Sequence, residues 1–211
     1  MRTDDLIDAL AAQAGPDPGG SPSRRLALLV GLGVAVALAG VLIWLKVRPD
    51  LMDVMSGGFF WLKAAYTGAL GLAGYLAVER LARPLGSPRR GLVLGLTVLV
   101  GFVLAGLVQF GLSDDPMTLL RGGSWTRCSL NILALGAPTT LLGLGVMRGL
   151  APTRPTLAGF AVGALAGGVA ATVYGLHCAE STFVFVGVWY SLGVLACAAL
   201  GAGLGRLTLR W

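Results

Sequence analysis

The residues of this 211-residue chain best suited to chemistry are its three cysteines and its single histidine. Cys128 and Cys178 each stand at the edge of an apolar run, and His177 directly precedes Cys178. Two thiols that meet in an oxidising compartment can form a disulfide. Two thiolates with an imidazole suit a soft metal ion. Arg127 and Glu180 lie beside the pair in sequence, and nearby charge tunes how readily a thiol becomes a thiolate. Zinc fits less well, because the chain has no four-ligand set and no Cys-x-x-Cys spacing. The residues leave three readings of the pair open: a structural disulfide, two inert small side chains, or a pair that responds to oxidant or metal. A disulfide needs the two Cα atoms within about 7 Å. Cys197 differs, lying inside an apolar run four residues from both Gly193 and Gly201, where it reads as a small packing residue. No Ser/His/Asp set, phosphate loop or metalloprotease motif is present, so an enzymatic role has no residues to rest on.

The elements that position these groups must be membrane helices. Apolar residues make up 55% of the chain, only 12% are charged, and mean hydropathy is +0.80. A soluble domain carries roughly twice that charge. Six apolar segments stand out, at about Leu26–Leu45, Phe59–Val78, Gly91–Leu112, Cys128–Met147, Thr156–Leu176 and Phe183–Leu204. Each is close to the roughly 20 residues that cross a bilayer. The expected fold is therefore all-α, a multi-pass membrane protein with six transmembrane helices. Residues 1–24 would form a soluble tail and residues 25–211 the membrane domain. The first segment follows a polar tail and lacks a convincing cleavage site, so it does not read as a signal peptide.

Orientation follows from Lys and Arg. Six crossings put both termini on one side. With the termini inside, that side holds 11 of the 16 basic residues, including Arg80, Arg83, Arg89 and Arg90 in one loop. The other side holds Lys46, Arg48, Lys63, Arg121 and Arg127. Cytoplasmic termini in a bacterial inner membrane are expected, with Cys128 and Cys178 at the outer face. The net charge of +6 is accounted for by these helix ends and does not call for nucleic acid.

The tail divides in two. Thr3 can cap a short helix, with Asp4 and Asp5 in its first turn where carboxylates oppose the helix dipole. Leu6, Ile7, Leu10 and Ala14 then form an apolar stripe flanked by Asp8. Gly15 to Pro22 follow as a flexible linker. An acidic helix is repelled by anionic lipid. It can dock in the groove of a basic cytoplasmic protein, or remain a leader without a partner.

Within the spans, Lys63 is expected to snorkel to the outer interface. Gln109 and Asn131 are expected to hydrogen-bond between helices. Gly159, Gly163 and Gly167, and separately Gly193, Cys197, Gly201 and Gly205, recur every fourth residue and mark close helix contacts. A transporter or channel, the rival reading, would want ionisable groups at mid-membrane and internal repeats, and neither is evident.

The opening Met1-Arg2-Thr3-Asp4-Asp5-Leu6-Ile7-Asp8-Ala9-Leu10 resembles the N-terminal signature of the NrsF-like family, negative regulators of an extracytoplasmic-function sigma factor. Phe60-Trp61-Leu62-Lys63, Cys128 and His177-Cys178 also resemble that family. The resemblance covers essentially the whole chain. It implies an anti-sigma factor that sequesters its sigma factor at the membrane and releases it on an envelope signal. The implied sigma-factor contacts are Asp4, Asp5, Leu6, Ile7, Asp8 and Leu10. It also favours a sensing or disulfide role for Cys128, Cys178 and His177, with a heavy-metal or redox signal and no resident cofactor. The partners implied are the sigma factor and membrane lipid, without direct contact to nucleic acid.

Overall fold

The computed structural model describes residues 2–13, 22–83, 86–150 and 152–209. Gly15–Ser21 of the expected linker lie outside them, as do Ala14 and the side chain of Leu10, while Pro22, its last residue, opens the second helix. Among the described residues the regular elements are all helices, without strands. A short α1 (Thr3–Gln13) precedes α2 (Pro22–Gly40), which runs on as a π-helical turn over Val41–Leu45. Then come α3 (Leu51–Met55), α4 (Gly58–Leu81), α5 (Arg89–Gly111), α6 (Pro116–Arg121), α7 (Trp125–Arg148) and α8 (Pro155–Tyr174). The last long helix starts as α9 (Phe183–Phe185), passes through a second π-helical turn (Val186–Tyr190) and continues as α10 (Ser191–Thr208).

Five helices are long and apolar enough to cross a membrane: Ser23–Leu45, Arg89–Gly111, Pro116–Arg148, Pro155–Tyr174 and Phe183–Thr208. That is one fewer than the six segments expected. The difference is α4, whose 24 residues suffice in length but include Lys63, Tyr66, Thr67, Glu79 and Arg80. Those polar groups can be carried because α4 is packed on neighbours: Lys63, Tyr66 and Thr67 are all buried.

Helix α8 is the hub, touching α10, α4, α7 and α2. Small residues let it approach so many neighbours. A Cβ placed on Gly163 would collide with the carbonyl of Cys197, and one on Gly168 with the backbone of Gly71. Both glycine ridges read from the sequence therefore meet, α8 against α10, and α4 adds a third close line. Two apolar clusters fill the bundle. One gathers Val41, Tyr66, Ile132, Tyr174, Phe185 and Tyr190 around the cysteines. The other gathers Leu26, Val78, Leu144, Met147 and Val162 near the Arg80–Arg90 connection. These are called the cysteine end and the arginine end below.

Candidate sensing site and partner-binding helix

Cys128 lies in the first turn of α7, and Cys178 follows the end of α8 by four residues. Ser124, the residue before α7, brings its Oγ to 3.9 Å from Cys178 Sγ. Both cysteines are free thiols, 0% and 3% exposed. Cys128 lies close enough to Cys178 for the two thiols to interact. The hydrogen bond from Cys128 pulls the Cys178 thiol below its ordinary pKa range, against the burial that would raise it. The charge of Lys63 acts in the same direction as Cys128.

Four groups that the sequence did not assign to the pair surround it. Tyr174 sits one helical turn before Cys178, and Asn131 Nδ2 donates to its hydroxyl at 3.5 Å. Tyr190, in the second π-helical turn, is fully buried, and its hydroxyl has no hydrogen-bond partner among the described residues. Buried polar groups are normally paired, so this hydroxyl is a donor in waiting beside two sulfurs. Lys63 is only 2% exposed, and its Nζ donates to the carbonyls of Cys178 at 3.0 Å and Glu180 at 3.1 Å. It does not snorkel to water as expected, because these carbonyls meet it inside the bundle. Arg48 reinforces the same connection. Its backbone N–H donates to Leu176 O at 3.1 Å and its guanidinium to Cys178 O at 3.4 Å. A bidentate pair with Asp50, at 2.6 and 2.7 Å, orients that guanidinium and raises its pKa. On the far side, Glu180 accepts from the N–H of Gly123 at 2.7 Å.

His177 is placed differently from its expected companions. Its Nδ1 donates to the Lys46 carbonyl at 2.8 Å, and its ring lies 5.6 Å from that of Tyr174. Lys46 has φ 68°, a conformation rare outside glycine, which caps the first π-helical turn. Among the described residues no group of three His, Cys, Asp or Glu is arranged to hold a metal ion. The thiol pair is assembled, while a Cys128–Cys178–His177 ligand set is not. Gln109 and Asn131 do bond between helices as expected, the former to Val184 N at 3.2 Å.

The tail residues form a separate site. Helix α1 starts at Thr3 itself, and Asp5 Oδ2 accepts from the N–H of Arg2 at 3.1 Å, closing the first turn. Asp4, Asp5 and Asp8 are exposed. Leu6 and Ile7 are 43% and 57% exposed, so these apolar side chains are not consumed by the bundle.

Residues 10–211 match the family described as negative regulator of sigma F, NrsF. The chain belongs to the NrsF family. Across its full length it is 58% identical to the anti-sigma-F factor NrsF of Caulobacter vibrioides, all of which is covered. It is 42% identical, again over the whole of both chains, to the probable anti-sigma-F factor NrsF of Azospira oryzae. No solved structure matches the chain. Members of the NrsF family are negative regulators, so this is a regulatory protein and not an enzyme. The full-length identity extends the match to the tail that carries α1.

Proposed function

We propose that the chain is a membrane-bound anti-sigma factor, which holds an extracytoplasmic-function sigma factor at the bacterial inner membrane and releases it on an envelope signal. The observation that carries this reading is the open apolar stripe on α1, with Leu6 and Ile7 exposed between Asp4, Asp5 and Asp8. A helix of 11 residues gains little stability alone in water. Exposed Leu and Ile anchors on it favour docking in a partner's groove. A sigma factor offers basic surfaces for DNA and an apolar interface for polymerase, and an acidic helix with two or three anchors complements either. Asp4, Asp5, Leu6, Ile7, Asp8 and Leu10 are the proposed contacts. So few anchors give modest affinity after the ordering cost, and the Arg80–Arg90 connection is a candidate second contact.

The proposed topology has six crossings. Helix α4 is the sixth, about 36 Å long by helical rise, with Lys63, Tyr66 and Thr67 turned into the bundle. Both termini and the arginine end then face the cytoplasm by the positive-inside rule. The cysteine end faces outward, into an oxidising compartment where thiol chemistry is available. An oxidant that takes two electrons and two protons from Cys128 and Cys178 would join them. A soft metal ion would instead displace their protons. Either change alters the connection that Lys63 grips, and α4 runs from Lys63 to Arg80 at the opposite end. This helix is the proposed route by which an outer event reaches the cytoplasmic side.

The test is capture from native cytoplasm by residues 1–24 displayed on a tether, beside a version with Leu6, Ile7 and Leu10 changed to Ser. Capture of a sigma factor that the triple variant loses supports the reading. Capture of no sigma factor by the tail or by the full-length protein in detergent overturns it.

A further inference from the structure

Helices α5 and α10 belong to the same bundle but are held together only towards the cysteine end. There Gly106 lies against the backbone of Phe183 and Val184, and Gly187 faces Phe102 and Val103. Towards the arginine end the two helices stand apart, and a cleft of about 220 Å³ opens between them. Gly74 and Ala77 of α4, with Ala161 and Ala164 of α8, form its floor. Leu96 and Leu195 stand on its two walls. The run from Pro88 to Leu99 along the cleft rises about 16 Å, close to half of a hydrocarbon core of about 30 Å. The cleft is thus one leaflet deep.

Its chemistry is one-sided. Among the described residues, the only polar side chain that lines it is Ser191, at the closed end. That hydroxyl is already engaged, sharing a 2.6 Å hydrogen bond with Tyr66 and donating to Gly187 O at 2.5 Å. A ligand with a polar head inside the cleft, such as a quinone, would find no partner there. An unbranched hydrocarbon chain needs none. At the open end an exposed arginine stands on or beside each of the four bounding helices: Arg80 on α4 and Arg83 just after it, Arg89 and Arg90 on α5, Arg154 before α8 and Arg206 on α10. Glu79 is the one carboxylate at these helix ends among the described residues, and Arg83 pairs with it at 3.3 Å.

We propose that this cleft binds one acyl chain of an anionic phospholipid, whose headgroup phosphate rests among the arginines at its mouth. An apolar slot one leaflet deep beneath a cluster of cations has the shape and charge of that ligand. Uncharged headgroups would lose the contribution of about fivefold in affinity that each arginine near the surface makes.

The experiment uses the full chain in neutral detergent with phosphatidylglycerol bearing a photoreactive group on its acyl chain. Adducts are mapped by mass spectrometry, and unlabelled phosphatidylglycerol or phosphatidylcholine is added as competitor. Adducts concentrated on α5, α8 and α10 around Leu96, Ala164 and Leu195, competed at least fivefold better by phosphatidylglycerol, support the site. In the paired variant Arg89→Gln/Arg90→Gln the same adducts should persist while that preference falls at least fivefold. Ala164→Phe, which fills the floor, should abolish them. Adducts spread evenly over the exposed faces of α2 and α5, or equal competition by the two lipids, overturn the proposal. Exclusion of lipid from the cleft by a second copy of the chain would also overturn it, and would appear as dimer-sized cross-links.

Discussion

The ammonium of Lys63 donates to the carbonyl of Cys178 across 3.0 Å inside the bundle, which ties α4 to the connection that carries one of the two facing thiols. The same ammonium also holds Glu180 O at 3.1 Å, and it lies 5.6 Å from the centre of the Tyr190 ring. A buried cation satisfied by carbonyls fixes backbone as well as side chain, so this residue sets where Cys178 can go.

Lys63→Met should loosen that connection. One buried and one part-buried carbonyl lose their shared donor, at a cost of about 1–3 kcal/mol, partly offset because Arg48 still reaches Cys178 O. Hydrogen exchange over residues 175–182 should speed up and the thermal midpoint in detergent should fall. Unchanged exchange in that segment would show that Lys63 is not the clamp.

Oxidation should join Cys128 to Cys178 and leave Cys197 alone. The first two face one another, whereas Cys197 is buried against Ile132 O, with its Sγ at 3.8 Å. After mild oxidant, denaturation and alkylation, mass spectrometry should find one modified cysteine, against three in reduced protein. Recovery of all three modified under oxidant would contradict the pairing.

Gly163→Leu should break the contact between α8 and α10. Any side chain at this position meets the backbone of Cys197 and Ala198, which cannot move aside cheaply. Overpacking of this kind costs about 1–3 kcal/mol, and the effect should show as a lower thermal midpoint. Gly145→Leu is the control, because a Cβ at Gly145 meets nothing within 4 Å.

Tyr190→Phe should leave stability unchanged or raise it by up to about 1 kcal/mol, because it removes a buried hydroxyl that has no partner. If that hydroxyl serves the thiols, the rate at which Cys128 and Cys178 oxidise should change in the same variant. A loss of stability would mean that the hydroxyl has a partner after all.

The long helices were legible because apolar runs near bilayer length leave few alternatives. The glycine ridges were legible because four-residue spacing has one common use in such helices. What periodicity could not show was where polar residues turn. Lys63 near a span end reads as a group reaching for water, and only the carbonyls of Cys178 and Glu180 make it an inward clamp. Helix α4 looked like the other spans, although its polar residues set it apart by composition. The π-helical turns over Val41–Leu45 and Val186–Tyr190 have no sequence signature, yet the second carries Tyr190 to the thiols. Lys46 at positive φ, where glycine would have given warning, places the carbonyl that takes His177. The facing of the two cysteines was left open by their spacing, because it depends on how α7 and α8 pack.

The measurement that tests the central claim most directly is the partition of the sigma factor between membrane and cytosol, in cells expressing the intact chain or the variant Leu6→Ser/Ile7→Ser. Membrane levels of the two chains must be matched by immunoblot. The account predicts a membrane-associated sigma factor with the intact chain, and a cytosolic one with raised sigma-dependent transcription in the variant. Equal membrane retention by both chains would contradict binding through α1.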